Sequence, residues 1–335
     1  MKRTFWSSIA VFIMAGILST NLTSCGDEGD EGGKSGTAGV IGAWSIKMPE
    51  RGENIFVFLA GGEGVNINIP EPESYSLAPL ATMNLDATTR LKGGGISMEG
   101  IQYTLPGEDG TPGTIHISGY VSPIPYEVKG NRLYLTTEDE IFELTRMAGA
   151  GNEKDMPVGL WLCMELGDRN FLPIPASGKA MFSGFRAYCL PTGSSTGYLY
   201  LEYETYPSTY KIKGKEMHVT NPDSKYEKVF TLIDTKVLEG TWKTETQKAY
   251  YTYTFYPYDP EEGGRGRGRG VATRTMKSSF QETEFPFDYV IFDETQGVVI
   301  LDSDDSESFY KIDGKTMTLY EDAAMTRIIY EMTKE

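Results

Sequence analysis

Tyr310-Lys311-Ile312-Asp313-Gly314-Lys315 repeats a pattern already met twice upstream, at Tyr210-Lys211-Ile212-Lys213-Gly214-Lys215 and at Tyr126-Glu127-Val128-Lys129-Gly130-Asn131. In each copy an alternating run of aromatic and aliphatic residues stops at a Gly followed by Asn or Lys. Such a pair suits a tight turn needing φ > 0, and alternation on either side predicts a β-hairpin. Self-similarity at this scale sets the architecture before any finer reading. Ahead of each hairpin stands a Gly-x-Trp step: Gly42-Ala43-Trp44, Gly159-Leu160-Trp161 and Gly240-Thr241-Trp242. Behind each comes a closing strand: Phe142 to Arg146, Phe230 to Asp234 and Tyr330 to Lys334.

Three units follow, 40–149, 157–235 and 236–335, with a Gly-rich linker at 150–156 and almost no spacer between the last two, which predicts that those two pack closely. The 21 Tyr and 15 Phe fall in alternating runs with Thr, Val and Ile, and no long 3.6-residue period appears beyond the N-terminal segment. The chain therefore reads as all-β, three tandem antiparallel β units built as small barrels or sandwiches. The second unit is abbreviated and has room for about five to seven strands, as an open or shared sheet. The first carries a Gly- and Pro-rich insertion between about Gly61 and Gly113.

Met1-Lys2-Arg3 followed by the apolar Ile9 to Leu18 has the flanks and length of a secretory signal, too short to span a bilayer as a stable helix. Leu22-Thr23-Ser24-Cys25 then resembles a bacterial lipobox. That resemblance implies removal of residues 1–24, with Cys25 as the first mature residue carrying a thioether-linked diacylglycerol and an N-acyl chain. Two or three chains, at about 0.8 kcal/mol per buried methylene, hold a protein on a membrane permanently, whereas one is marginal. The acids Asp27, Glu28, Asp30 and Glu31 lie in a Gly-rich tether, residues 25–39. They resemble the export tag of surface-displayed Bacteroidota lipoproteins, which implies an outer-membrane protein exposed at the cell surface. Gly-x-Trp, the Tyr-x-Ile-x-Gly hairpin and the closing aromatic strand together resemble the small lipocalin-like domains common in such lipoproteins, usually meander barrels of about eight strands.

The whole sequence has 31 basic and 47 acidic residues, net −16, and residues 1–24 hold two bases and no acid, leaving −18 on the remainder. Such a charge argues against nucleic acid and anionic membrane surfaces as partners. Gly263-Gly264-Arg265-Gly266-Arg267-Gly268-Arg269-Gly270 accordingly reads as a long flexible hairpin loop rather than an RNA-binding segment. His116 and His218, the only histidines, lie apart in strand patterns and suggest neither a triad nor a zinc site. Asp302-Ser303-Asp304-Asp305-Ser306-Glu307 lacks the spacing and Gly of a calcium loop and reads as a solvated turn. No metal or other cofactor is expected.

Cys163 and Cys189 both belong to the second unit. Export to an oxidising compartment fits a disulfide between them, and two buried thiols fit equally. The tyrosines carry the ligand reading. In Tyr198 to Tyr206, Leu199 and Leu201 share one strand face while Tyr198, Tyr200 and Tyr206 share the other with Glu202 and Glu204. In Tyr250 to Tyr256, Tyr251, Tyr253 and Phe255 point inward, and Tyr250 and Tyr256 outward. Exposed tyrosine beside carboxylates is a way to hold sugar rings, and tyrosine is equally a good strand residue with a wet end. The expected function is a non-catalytic binding module, anchored to the membrane through Cys25, for an extracellular glycan or protein. A structural or accessory subunit of a surface complex comes second, and a glycan hydrolase using paired carboxylates last.

Overall fold

In the computed structural model, residues 39–48, 52–71, 95–108, 110–119, 121–138, 140–165, 168–224, 226–261 and 266–335 are described, and each repeat forms eight antiparallel strands joined in chain order. The first unit holds β1 (Gly42–Met48), β2 (Gly52–Phe58), β3 (Glu63–Ile69), β4 (Ser97–Thr104), β5 (Gly113–Ile117), β6 (Ile124–Lys129), β7 (Arg132–Thr136) and β8 (Ile141–Arg146). The second holds β9 (Gly159–Glu165), β10 (Asp168–Ile174), β11 (Lys179–Phe182), β12 (Phe185–Gly193), β13 (Thr196–Leu201), β14 (Ser208–Lys213), β15 (Glu216–Thr220) and β16 (Glu227–Ile233). The third holds β17 (Gly240–Glu245), β18 (Ala249–Phe255), β19 (Arg267–Met276), β20 (Glu282–Ile291), β21 (Gln296–Leu301), β22 (Glu307–Asp313), β23 (Thr316–Tyr320) and β24 (Ile328–Lys334).

The first and third sheets close through β1–β8 and β17–β24. The second joins its first and last strands in the same way, β9 to β16, but has no ladder between β10 and β11. Pro173 in β10 accounts for part of this. It has no N–H to donate and sits opposite Leu160 on β9, so β10 can only be an edge on its other side.

The three quoted motifs have one structural meaning in every copy. Gly42, Gly159 and Gly240 take φ of 117°, 145° and 104°, which turns the chain into the first strand. Two residues on, each Trp is buried and its indole N–H donates to the carbonyl four residues back: Trp44 to Val40 at 2.7 Å, Trp161 to Pro157 at 2.9 Å and Trp242 to Leu238 at 2.9 Å. The large apolar ring thus seals one barrel end with its polar atom satisfied. Gly130, Gly214 and Gly314 take φ near 60° at the first position of two-residue hairpins. The Tyr that opens each quoted hairpin motif lies over a cross-strand glycine. Tyr126 pairs with Gly113, Tyr210 with Gly197 and Tyr310 with Gly297, and a β-carbon on any of these glycines would come within 3.0 Å of the ring. The aromatic face fills the gap that the missing side chain leaves in the pleat.

Three expectations are corrected. The second unit has eight strands, not five to seven, because β11 is only four residues long and two-residue turns join β11 to β12, β12 to β13 and β14 to β15. The presumed insertion in the first unit contributes β3 and β4, which pair from Glu63↔Gln102 to Asn68↔Ser97. The linker is a packed element. Ala150 is buried, the Gly151 N–H donates to the Pro191 carbonyl at 2.9 Å, and Glu153–Asp155 forms a 3-10 turn capped by Asn152.

Adjacent barrels share apolar clusters through their outer faces. Ala43, Ile55, Val57, Val65 and Ile67 of the first pack with Tyr188, Leu190 and Tyr200 of the second. The seam is stitched by Ile96 N–H to the Glu204 carbonyl (2.7 Å), Tyr203 N–H to the Ile96 carbonyl (2.9 Å) and Arg186 to the Met98 carbonyl (3.2 Å). Leu160, Leu162 and Ile233 of the second barrel join the same cluster as Tyr258, Phe287 and Ile291 of the third. Both junctions are therefore close-packed, not only the later one.

Candidate functional site

Side-chain alternation in the tyrosine runs came out as read, but its consequence did not. Leu199 and Leu201 face the interior of the second barrel, and Tyr198 and Tyr200 face outward. That outer face is covered by the first barrel, leaving Tyr200 only 2% exposed. Burial, with Glu53 adding to it, holds the Tyr200 phenol well above its ordinary value, so it is a neutral packing residue and not a ligand contact. Strand β13 ends at Leu201, which puts Tyr206 in the following turn. There it is partly buried and its carbonyl accepts from Asn221 at 3.3 Å. On the third barrel Tyr250 and Tyr256 are 46% and 48% exposed, and the Lys277 ammonium sits 4.7 Å from the Tyr250 ring centre. Of the five tyrosines proposed from sequence, Tyr250 and Tyr256 are exposed, Tyr198 and Tyr206 partly buried, and Tyr200 buried.

The Arg-Gly segment is also corrected. Arg267 to Gly270 belongs to β19, with Gly268 opposite Tyr289 and Gly270 opposite Phe287 on β20. A β-carbon at either glycine would come within 3.0 Å of the facing ring. The alternation thus places glycines beneath aromatic rings and arginines on the outer face, where Arg267 pairs with Asp288 at 2.9 Å. Asp302 to Ser306 connects β21 to β22. His116 is exposed on β5. His218 on β15 lies between Glu227 (3.0 Å from Nδ1) and Glu216 (3.4 Å from Nε2). Among the described residues no three His, Cys, Asp or Glu side chains gather as a metal site.

Cys163 and Cys189 are separate thiols, both buried in the core of the second barrel. They stand on β9 and β12, which are not neighbours in the sheet, and both side chains face the same core. Burial pushes the Cys189 thiol up to about 12, with the adjacent Tyr210 hydroxyl opposing the shift. Cys25 lies outside the described residues.

The interior of the first barrel is filled by side chains, as expected for a closed sheet of eight strands. In the first barrel the remaining void beside Asn54, Phe56 and Asn66 is about 10 Å³, room for one water. The open space lies outside it. The connection from Leu105 to Pro112, the backbone at Gly39 and Val40, and the strands β6 and β7 enclose a cleft of about 510 Å³. Val40, Leu105, Pro106, Pro112, Pro125 and Val128 give it an apolar wall, with the Glu127 carboxylate among its lining groups. Glu127 is held 2.8 Å from Lys129. The floor includes Tyr126, whose hydroxyl donates to the Thr104 carbonyl at 3.0 Å and whose ionisation burial, reinforced by Tyr103, pushes up to about 12. Its volume falls in the range of small-ligand sites, and its lining mixes apolar side chains with polar groups. Sequence reading missed this cleft. Its signal was the Pro- and Gly-rich connection Leu105-Pro106-Gly107 to Pro112, which opens on an exposed Leu.

No family model and no curated protein matches the chain. Among solved structures, the Helicobacter pylori beta clamp bound to a DNA ligase peptide aligns over 82% of this chain and 89% of that chain, at 9% identity and a TM-score of 0.14. The same organism's clamp in complex with 5-chloroisatin covers 90% and 92%, at 10% identity and a TM-score of 0.13. The DNA polymerase III beta subunit from Thermotoga maritima covers 90% and 93%, at 9% identity and a TM-score of 0.12. Likeness at these TM-scores carries no argument about fold or function.

Proposed function

We propose that this protein is a lipid-anchored component of the outer membrane, displayed at the cell surface, that binds an extracellular glycan or protein without transforming it. The cleft of about 510 Å³ on the first barrel is the observation that carries the binding reading, because the interior of that barrel leaves a void of only about 10 Å³. Anchorage rests on the signal and lipobox pattern ending at Cys25. A second reading, an accessory subunit of a surface complex, is favoured by Phe280, 80% exposed at the tip of the β19–β20 hairpin, where a partner would cover it.

Two experiments test the reading. Cys25→Ala should move the protein from the membrane to the soluble fraction, and unchanged retention overturns the anchor. A glycan array and an affinity pull-down with that soluble form should return a ligand whose binding is lost in Leu105→Asp. A ligand that binds Leu105→Asp as well as the parent chain overturns the cleft as its site. A partner released by Phe280→Ser instead establishes the accessory reading.

A further inference from the structure

Arg274 points into the third barrel. Along β19 the inward positions are Gly268 and Gly270 beneath their aromatic rings, the buried Ala272, and then Arg274. It stands opposite Tyr251 on β18 and Thr283 on β20, two residues before β19 ends. Through Tyr253 the ladder sets Trp242 level with Ala272, so Arg274 lies one inward position nearer this end of the barrel than the tryptophan. Its guanidinium sits 5.5 Å from the centre of the Phe285 ring, and the rings of Tyr251 on β18 and Tyr330 on β24, two strands separated by β17, are 4.7 Å apart.

The Nε of Arg274 is sealed from solvent and has no hydrogen-bond partner. This stands out in a chain with 47 acidic residues against 31 basic ones. Arg267 pairs with Asp288, Lys277 with Glu245, and Arg327 with Glu321 and Asp322, whereas Arg274 has no ion pair among the described residues. Arginine does not shed its charge in a protein, so an inward guanidinium without a counter-charge is unfavourable until an anion reaches it. Packing alone does not call for it, since its inward neighbours Ala272 and Met276 on the same strand are apolar.

We infer that the mouth of the third barrel binds a carboxylate-bearing sugar, a hexuronic acid, with Arg274 as the fork for its carboxylate. The planar guanidinium offers parallel N–H donors that match a carboxylate in two-pronged fashion. The rings of Tyr251 and Tyr330 supply a stacking face, and their hydroxyls with that of Thr283 supply partners for the sugar hydroxyls. Burial, then the paired Tyr251 hydroxyl, hold the Tyr330 phenol well above its ordinary value, so it remains a neutral donor at working pH. This site is independent of the cleft on the first barrel.

The test uses the full chain carrying Cys25→Ala, with D-glucuronate and D-galacturonate as probes and D-glucose, D-galactose and acetate as controls, read by titration calorimetry and thermal melting. The uronates should bind and raise the melting temperature, with the neutral sugars and acetate weaker by about tenfold or more. Arg274→Met should lose uronate binding by about tenfold or more while melting no lower than the parent without ligand, because it removes a buried Nε donor that has no partner. Tyr330→Phe should keep the fold and weaken the uronates more than acetate. The proposal is overturned if neither uronate binds the parent chain, if acetate or the neutral sugars bind as tightly, or if Arg274→Met melts lower and keeps uronate binding.

Discussion

Gly270→Ala separates the strand from the loop by the sign of a stability change. In a flexible Arg-Gly loop the substitution would stabilise by about 0.4–1 kcal/mol, because alanine narrows the unfolded ensemble. In β19 the backbone at Gly270 is not in the left-handed region, so alanine meets no φ penalty, and only space decides. The added β-carbon would lie within 3.0 Å of both the Phe287 ring and the Thr254 carbonyl oxygen. Phe287 is 1% exposed and packs edge-to-face with Phe255 at a centroid separation of 5.0 Å, so its ring has nowhere to retreat without shifting the core. Overpacking of this kind costs about 1–3 kcal/mol, which is about 4–8 °C per kcal/mol in the melting temperature of a unit near one hundred residues. Urea denaturation followed by tryptophan fluorescence should show a lower midpoint with an unchanged slope. In a Phe287→Leu background the same substitution should cost about 1 kcal/mol less, as groups in contact couple. An equal or higher midpoint for Gly270→Ala would refute the placement of Phe287 over this glycine.

Three further outcomes are expected. Tyr200→Ala should destabilise by about 3–5 kcal/mol, the range for emptying a large core site. Hydrogen exchange should then rise in the first barrel as well as the second, and a rise confined to β13 would contradict the shared cluster. Neither Cys163 nor Cys189 should react with a disulfide reagent at pH 8 until the chain unfolds, burial having raised both thiols. Rapid native labelling of either would contradict its burial. Burial, with Tyr251 adding to it, pushes the Tyr253 phenol up to about 12 from an ordinary 10.0. The unfolded chain therefore sheds this proton first, and the associated stability, complete below pH 10, should be lost as pH rises through about 12. Phenolate absorbance and circular dichroism should change together in that window. Full ionisation near pH 10 with native dichroism would show the ring to be exposed.

The sequence by itself determined the repeat and its punctuation. Gly-x-Trp, the hairpin glycine and the Tyr between them are local requirements: a positive φ, an indole N–H within reach of a carbonyl four residues back, a turn of two residues. They were therefore readable wherever they occurred. The inward and outward faces of Tyr198 to Leu201 and of Tyr250 to Phe255 were legible for the same reason, since alternation is a property of one strand. What covers an outward face is not. Tyr200 is buried because another barrel lies on it, and that contact depends on residues more than a hundred positions away. Arg-Gly alternation looked like a loop because glycine is a poor strand residue in isolation, whereas rings donated by β20 make glycine the residue that fits. The strand count of the second unit, the unbonded cysteines and the cleft over Tyr126 have one cause in common. Each depends on how strands lie beside one another, a separation through space that residue spacing along the chain does not contain.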